Sequence, residues 1–199
     1  MRTFIIRARK ASTSWERTRS SVGNKEHIEI VAHCVINAFF TSKDFRKDTE
    51  VYVVLESSKD FPRTLKLSGD EGLSLAGFHE EAVLDLLLHA LKNSQHLQKD
   101  ETLHLARGVH ISGFGFEKCV KQLLETRPVY LLNTKGHDIR NVAIEPDPVF
   151  ILSDHLPMPK NNIKSFQRQG LHLLSLGKKM LFASQCVVLI HHELDRLEN

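Results

Sequence analysis

Apolar residues recur along this chain with two periods, and the two periods alternate. Phe4-Ile5-Ile6 is a short apolar run that predicts a first strand, and the Ser/Thr/Arg-rich stretch from Ala11 to Lys25 has no period and predicts a loop. Ile28, Val31, Cys34/Val35 and Ala38/Phe39 then fall at helical spacing and predict an amphipathic helix. Val51-Tyr52-Val53-Val54-Leu55 reads as a buried strand, and Arg63 to Leu67 alternates like an exposed one. Glu80 to Leu91 predicts a helix with Val83, Leu84, Leu87, Leu88 and Leu91 on one face, Val109–Ile111 a strand, and Phe116 to Leu124 another helix. The last third holds three short apolar runs, Val129–Leu132, Val149–Leu152 and Leu171–Leu174. It closes on a long helix, Leu181 to Leu197, with Ala183, Val187, Ile190, Leu194 and Leu197 on one face.

Strands alternating with helices predict an α/β fold, a mainly parallel sheet with helices on both faces. No repeat and no Pro/Gly-rich linker divides residues 1–199, so a single domain is expected. Ligands of such sheets sit at the carboxyl ends of strands. Three strand exits are therefore the places to search: Leu132-Asn133, Leu152-Ser153 and Leu174-Ser175.

Composition narrows the class without naming a function. A chain of 199 residues, 41% of them hydrophobic and 26% charged, buries roughly 70% of its unfolded surface and needs no staples. Disorder is excluded as the dominant state, because apolar content is high and net charge low. Cys34, Cys119 and Cys186 are odd in number and widely spaced, which argues against a disulfide framework, and no CxxC pair points to zinc. The longest apolar run, Cys186 to Ile190, is far short of the roughly 20 residues of a membrane helix. The N-terminal MRTFIIRARK lacks the pattern of a secretory signal, so the cytoplasm is the expected compartment.

Charge is unevenly placed. Residues 1–25 hold seven basic groups (Arg2, Arg7, Arg9, Lys10, Arg17, Arg19, Lys25) and one acid, Glu16, a local +6 against +3 for the whole chain. Residues 155–180 hold Lys160, Lys164, Arg168, Lys178 and Lys179 with no acid. Two basic stretches on a near-neutral body fit a polyanion partner, and equally a solvated arm with a charged helix face.

Familiar motifs are mostly missing. Gly113-Phe114-Gly115 lacks the third glycine of a dinucleotide fingerprint, Lys118 standing in its place, and no phosphate loop exists. His191 and His192 are adjacent, so on a helix they point about 100° apart and cannot share an ion. No HExxH marks a metal site and no GxSxG a catalytic serine. Ser175-Leu176-Gly177-Lys178-Lys179-Met180 is more informative. It follows an apolar strand, opens a helix, and carries a glycine that lets a ligand approach the backbone.

The string Leu174 to Cys186, LSLGKKMLFASQC, resembles the last knot loop and helix of the archaeal tRNA (pseudouridine-54 N1)-methyltransferase family, in the SPOUT class of S-adenosylmethionine enzymes. Further blocks resemble the same family in order along the chain. They are Met1-Arg2-Thr3-Phe4, Asn37-Ala38-Phe39-Phe40 with Phe45-Arg46-Lys47-Asp48-Thr49, Tyr130-Leu131-Leu132 with Gly136-His137-Asp138-Ile139, and Phe150-Ile151-Leu152-Ser153-Asp154-His155. The resemblance implies a deep trefoil knot within about residues 125–190, an exception to the rule of un-knotted chains. It implies S-adenosylmethionine held by Leu132, Ser153, Ser175, Leu176, Gly177, Lys178, Lys179, Met180 and Cys186, with Ser153 in a slot where the family has glycine. Asp154, His155, Arg46 and Asp48 become the candidates to orient or deprotonate the substrate, the structural alternative being a turn cap for Asp154 and an Arg46–Asp48 pair. The implied activity is N1-methylation of pseudouridine in tRNA or another structured RNA, by a homodimer that needs no metal and no membrane. The alternative is a non-catalytic RNA- or nucleoside-binding module that keeps the fold. Arginine-bearing segments of the family appear here as Gly69-Asp70-Glu71-Gly72-Leu73 and Gly77-Phe78-His79-Glu80-Glu81, and its N-terminal Gly-Arg loop as Thr18 to Lys25. These departures point to a divergent, bacterial branch.

Overall fold

All seven residues of β1 (Arg2–Ala8) are buried, the two arginines included, because this strand runs through the middle of an eight-stranded sheet. The computed structural model describes residues 1–21, 28–56, 61–153 and 159–198. After β1 come α1 (Trp15–Ser21), α2 (Ile28–Phe39), β2 (Thr49–Leu55), β3 (Arg63–Ser68) and α3 (Glu80–Asn93). The hairpin of β4 (Thr102–Ala106) and β5 (Val109–Ser112) follows, then α4 (Phe116–Leu124), β6 (Val129–Asp138), a 3-10 turn (Ile139–Asn141), β7 (Val149–Ser153), α5 (Lys160–Gln167), β8 (His172–Ser175) and α6 (Ala183–Leu197).

The sheet order is β4-β5-β3-β2-β1-β7-β6-β8. Five neighbouring strands, from β2 to β8, are parallel, whereas β3, β5 and β4 form an antiparallel wing at one side. The expectation of a mainly parallel sheet therefore holds for the half that ends in the three exits. β3 is not the exposed strand its alternation predicted. It is paired on both sides, and five of its six residues are buried.

Strand alternation sends side chains to two cores. Phe4, Ile6, Val51, Val53, Phe150 and Leu152 meet α2, α3 and α6 on one face. Ile5, Val54, Val149 and Ile151 meet α4 and α5 on the other, where Phe116 and Phe166 close edge to face. α6 buries Val187, Ile190, His191 and Leu194, but Leu197, placed on that face by periodicity, is 70% exposed.

The segment after Leu132 leaves the ladder and returns, so that Leu132 and His137 both stand opposite Leu174. Gly136 crosses the β8 backbone closely: a Cβ there would lie 2.5 Å from the Leu174 nitrogen and 2.6 Å from the Leu173 carbonyl carbon. Both are main-chain atoms, which cannot rotate away as a side chain can. Gly136→Ala is expected to lower stability by about 2 kcal/mol, read as a drop in Tm by scanning calorimetry. An unchanged Tm would show that the crossing opens freely.

Candidate functional site

Because β1, β7, β6 and β8 are parallel neighbours, their carboxyl ends lie along one edge of the sheet. Leu132 pairs with Leu174 there, and Ser153 with Arg7. The loop after β8 is shaped by its own residues. The Ser175 hydroxyl accepts the Gly177 N–H at 3.1 Å, and Gly177 has φ +115°, which suits glycine. No atom lies within 4 Å of where a Cβ on Gly177 would stand, so the need for glycine comes from the backbone angle and the main chain is open to a ligand. Lys178, Lys179 and Met180 are exposed, and the Gln185 side chain accepts the Phe182 N–H at 3.0 Å to start α6.

Leu132, Leu176 and Cys186 are all half-buried and all pack against the same core, the one under α2 and α6. The pairing of Leu132 with Leu174 sets Leu132 beside the strand that runs into Ser175, Leu176 and Gly177, and Cys186 of α6 packs against the same core. Ser153 is half-buried at the end of β7. Alternation directs its side chain to the opposite face, so its main chain is what it offers this edge. Burial raises the Cys186 thiol to about 11, so the group packs as a neutral thiol. An apolar wall, a backbone-lined turn and exposed lysines suit a nucleoside carrying a charged tail.

Asp154 and His155 lie outside the described residues. Arg46 and Asp48 stand at the other end of the sheet, where β1 and β2 begin. Arg46 grips Asp195 of α6 through both terminal nitrogens, at 3.0 and 2.6 Å. Asp48 faces the Arg2 Nε at 3.3 Å, while Arg2 also reaches Asp195 (2.5 Å) and Glu198 (2.7 Å). Arg46 and Asp48 are thus each ion-paired, though not with one another, and within one chain they do not meet the loop after β8. Arg2 lowers Asp195 together with Arg46, whose hydrogen bonds are the largest cause, and the carboxyl falls to about 2. Burial chiefly lowers His191, helped by Arg46 and Arg2, to about 4.

The basic first segment is not a free arm. Arg2 is 4% exposed and Arg7 8%. Arg7 donates from Nε to Glu56 at 2.8 Å and lies 4.2 Å over the Phe116 ring, while Glu56 caps α4 by accepting the Phe116 N–H. Lys10, Arg17 and Arg19 remain exposed, as do Lys164 and Arg168 on α5 and Lys178 and Lys179 at the loop. Charge counting missed these burials, since the carboxylate partners lie 49 and 193 residues away. The buried strand pattern of Thr3 to Ile6 was the available signal.

An α/β sheet whose parallel strands β1, β7, β6 and β8 end along one edge belongs to a class that binds ligands at that edge. Residues 1–199 match the sequence model of the family described as "Putative SAM-dependent RNA methyltransferase". The chain belongs to this family, whose methyl donor is S-adenosylmethionine and whose substrate is RNA. It is 43% identical over 198 residues to a "Putative pseudouridine methyltransferase" of Vibrio cholerae, covering 100% of this chain and 98% of that one. A relative of the same description from Photobacterium profundum is 44% identical, covering 98% of each. Among solved structures, Archaeoglobus fulgidus Nep1 bound to S-adenosylhomocysteine superposes with a TM-score of 0.65 over 98% of both chains, at 11% identity, a likeness of fold. No helix among the described residues is long and apolar enough to cross a membrane.

Proposed function

We propose that this chain N1-methylates pseudouridine in tRNA or another structured RNA. The observation that carries the reading is the pairing of Leu132 with Leu174, which sets the end of β6 beside the strand that runs into Ser175 and Gly177, in a chain of RNA methyltransferase family. S-adenosylmethionine supplies an electrophilic methyl group on sulfur. Leu132, Leu176 and Cys186 would hold its adenosine, and the main chain of Ser153 and of Ser175 to Met180 its polar groups. The fit rests on the open backbone at Gly177. The protein must then align the base in line with the departing sulfur and receive the N1 proton. Asp154 or His155, next to Ser153, is our assignment for that proton, and Arg46 and Asp48 would act only if a second chain brought them near.

A deep trefoil knot within about residues 125–190 belongs to this reading, supported by the Gly136 crossing. A homodimer is supported by Met180, Phe182, Val188 and Leu189, apolar side chains exposed on and before α6. We place the activity in the cytoplasm. The placement of Arg46 and Asp48 away from the loops favours a second reading, an RNA-binding module without turnover.

Unmodified tRNA incubated with labelled S-adenosylmethionine is expected to yield N1-methylpseudouridine by mass spectrometry. Cofactor and RNA binding without any methylated product would select the second reading. Lys178→Ala/Lys179→Ala is expected to flatten the dependence of log affinity on log salt by about 1 to 2, the loss of up to two phosphate contacts. An unchanged slope would remove these lysines from the RNA surface.

A further inference from the structure

Four rings stand in one row across four parallel strands. Phe4 of β1 pairs in register with Phe150 of β7, Phe150 with Tyr130 of β6, and Tyr130 with His172 of β8. Ring centroids are 5.8, 5.6 and 5.7 Å apart, with interplanar angles of 30°, 25° and 34°. The row begins in the core, where Phe4 and Phe150 are fully buried, and ends on His172, which is exposed on the edge strand. Its last two rings line a half-open cleft of about 180 Å³, whose other walls include His137, Glu145, Leu173 and Leu174. None of the residues assigned to the cofactor lines it.

We propose that this cleft holds one unpaired base of the RNA substrate, stacked on the exposed ring of His172, which the buried ring of Tyr130 backs. The inference rests on the reading of the chain as an RNA methyltransferase and adds a second nucleotide seat to it. The space suits one planar ring system and is below the roughly 300–1,000 Å³ of sites for larger ligands. A base brings a flat π-face to the rings and a hydrogen-bonding edge to the polar walls, as single-stranded RNA does in other proteins. The Tyr130 hydroxyl accepts the Glu145 N–H at 3.3 Å, which leaves its own proton to donate. The Glu145 carboxylate can accept the N3–H of a uracil. Leu174 lines the cleft and is followed directly by Ser175 of the cofactor loop, so a base seated here is a close neighbour of the target nucleotide.

Three measurements on the full-length chain test the assignment. With histidines labelled for NMR, uridine 5′-monophosphate is expected to shift the His137 and His172 ring signals, and S-adenosylhomocysteine is expected to leave them in place. His172→Ala is expected to weaken binding of bulk tRNA about tenfold, the loss of one stacked base. His172→Phe, which keeps a ring, should stay within about twofold of the unmodified chain. S-adenosylhomocysteine affinity, measured by calorimetry on all three proteins, should not change. Shifts caused by S-adenosylhomocysteine instead of the nucleotide would make the cleft part of the cofactor site and overturn the proposal. Unaltered tRNA affinity in His172→Ala, or equal losses in the Phe and Ala variants, would overturn it too. A failure of the methyltransferase reading itself looks different: the unmodified chain would then bind no S-adenosylhomocysteine.

Discussion

Between pH 7 and pH 4 the chain is expected to lose on the order of 3 kcal/mol of folding stability through His191 alone. The ring is 3% exposed. Its Nε2 is 3.1 Å from the Ala38 carbonyl, which can only accept, and its Nδ1 is 3.1 Å from Arg2 Nη1, which can only donate. The folded state therefore holds one neutral tautomer, and a second ring proton would point at a guanidinium. Burial is the larger cause of the shift and the cations Arg46 and Arg2 add to it, so the ring titrates near 4 in the fold against 6.5 when unfolded. The unfolded chain takes up that proton as pH falls through 6.5 and the folded one does not. Stability is thus complete above 6.5 and declines steadily toward 4. Asp195 works in the same direction but lower down: its carboxyl titrates near 2, so its pairs with Arg2 and Arg46 survive to pH 4 and fail below. Urea titrations at half-unit pH steps measure the slope. His191→Gln can keep both hydrogen bonds and cannot titrate, so its stability should be flatter over this range. Parallel slopes for the two proteins would assign the loss elsewhere.

Cys186→Trp is expected to weaken S-adenosylmethionine binding by on the order of 100-fold, about 2.7 kcal/mol. Cys186 lies in the first turn of α6, half-buried, and packs with Leu132 and Leu176 against one core. An indole there would fill the space assigned to the adenosine. Overpacking costs stability as well, about 1–3 kcal/mol, so a melting curve must show a folded variant before calorimetry is read. Cys186→Ala, which removes volume, should bind within a few-fold of the unmodified chain. A folded tryptophan variant with full affinity would move the cofactor away from α6.

Elements with a strong apolar period were legible in the sequence, and those without one were not. β1, α2, β2, α3, α4, β7 and α6 stand where periodicity placed them, with α4 matching at both ends. α1 reads WERTRSS, and of residues 15–20 Trp15 and Thr18 turn away from solvent, a spacing too short to separate it from a loop. β4 is an edge strand whose five residues are mostly exposed, and an edge needs no apolar face. α5 reads KNNIKSFQ, with Phe166 and Ile163 as its apolar anchors and Asn162 donating to Glu117 at 3.0 Å. The loops at the strand exits followed from the general rule for parallel sheets, and the resemblance then selected residues within them. The ion network of Arg2, Arg46 and Asp195 could not be foreseen, because strand order brings together groups separated by up to 193 residues.

The central place of β1 sets a timetable for synthesis. Its one side is closed by β2, some 47 residues later, and its other by β7, where Thr3 meets Val149. Arg2 waits longer still, for Asp195 and Glu198. At about 5–20 residues per second, a ribosome leaves the open side of this strand without a partner for roughly 7 to 30 s. Pairings so distant in sequence also fold slowly once the chain is complete. During that interval a strand destined for full burial is an unpaired edge, which makes the nascent chain a natural client for holding chaperones.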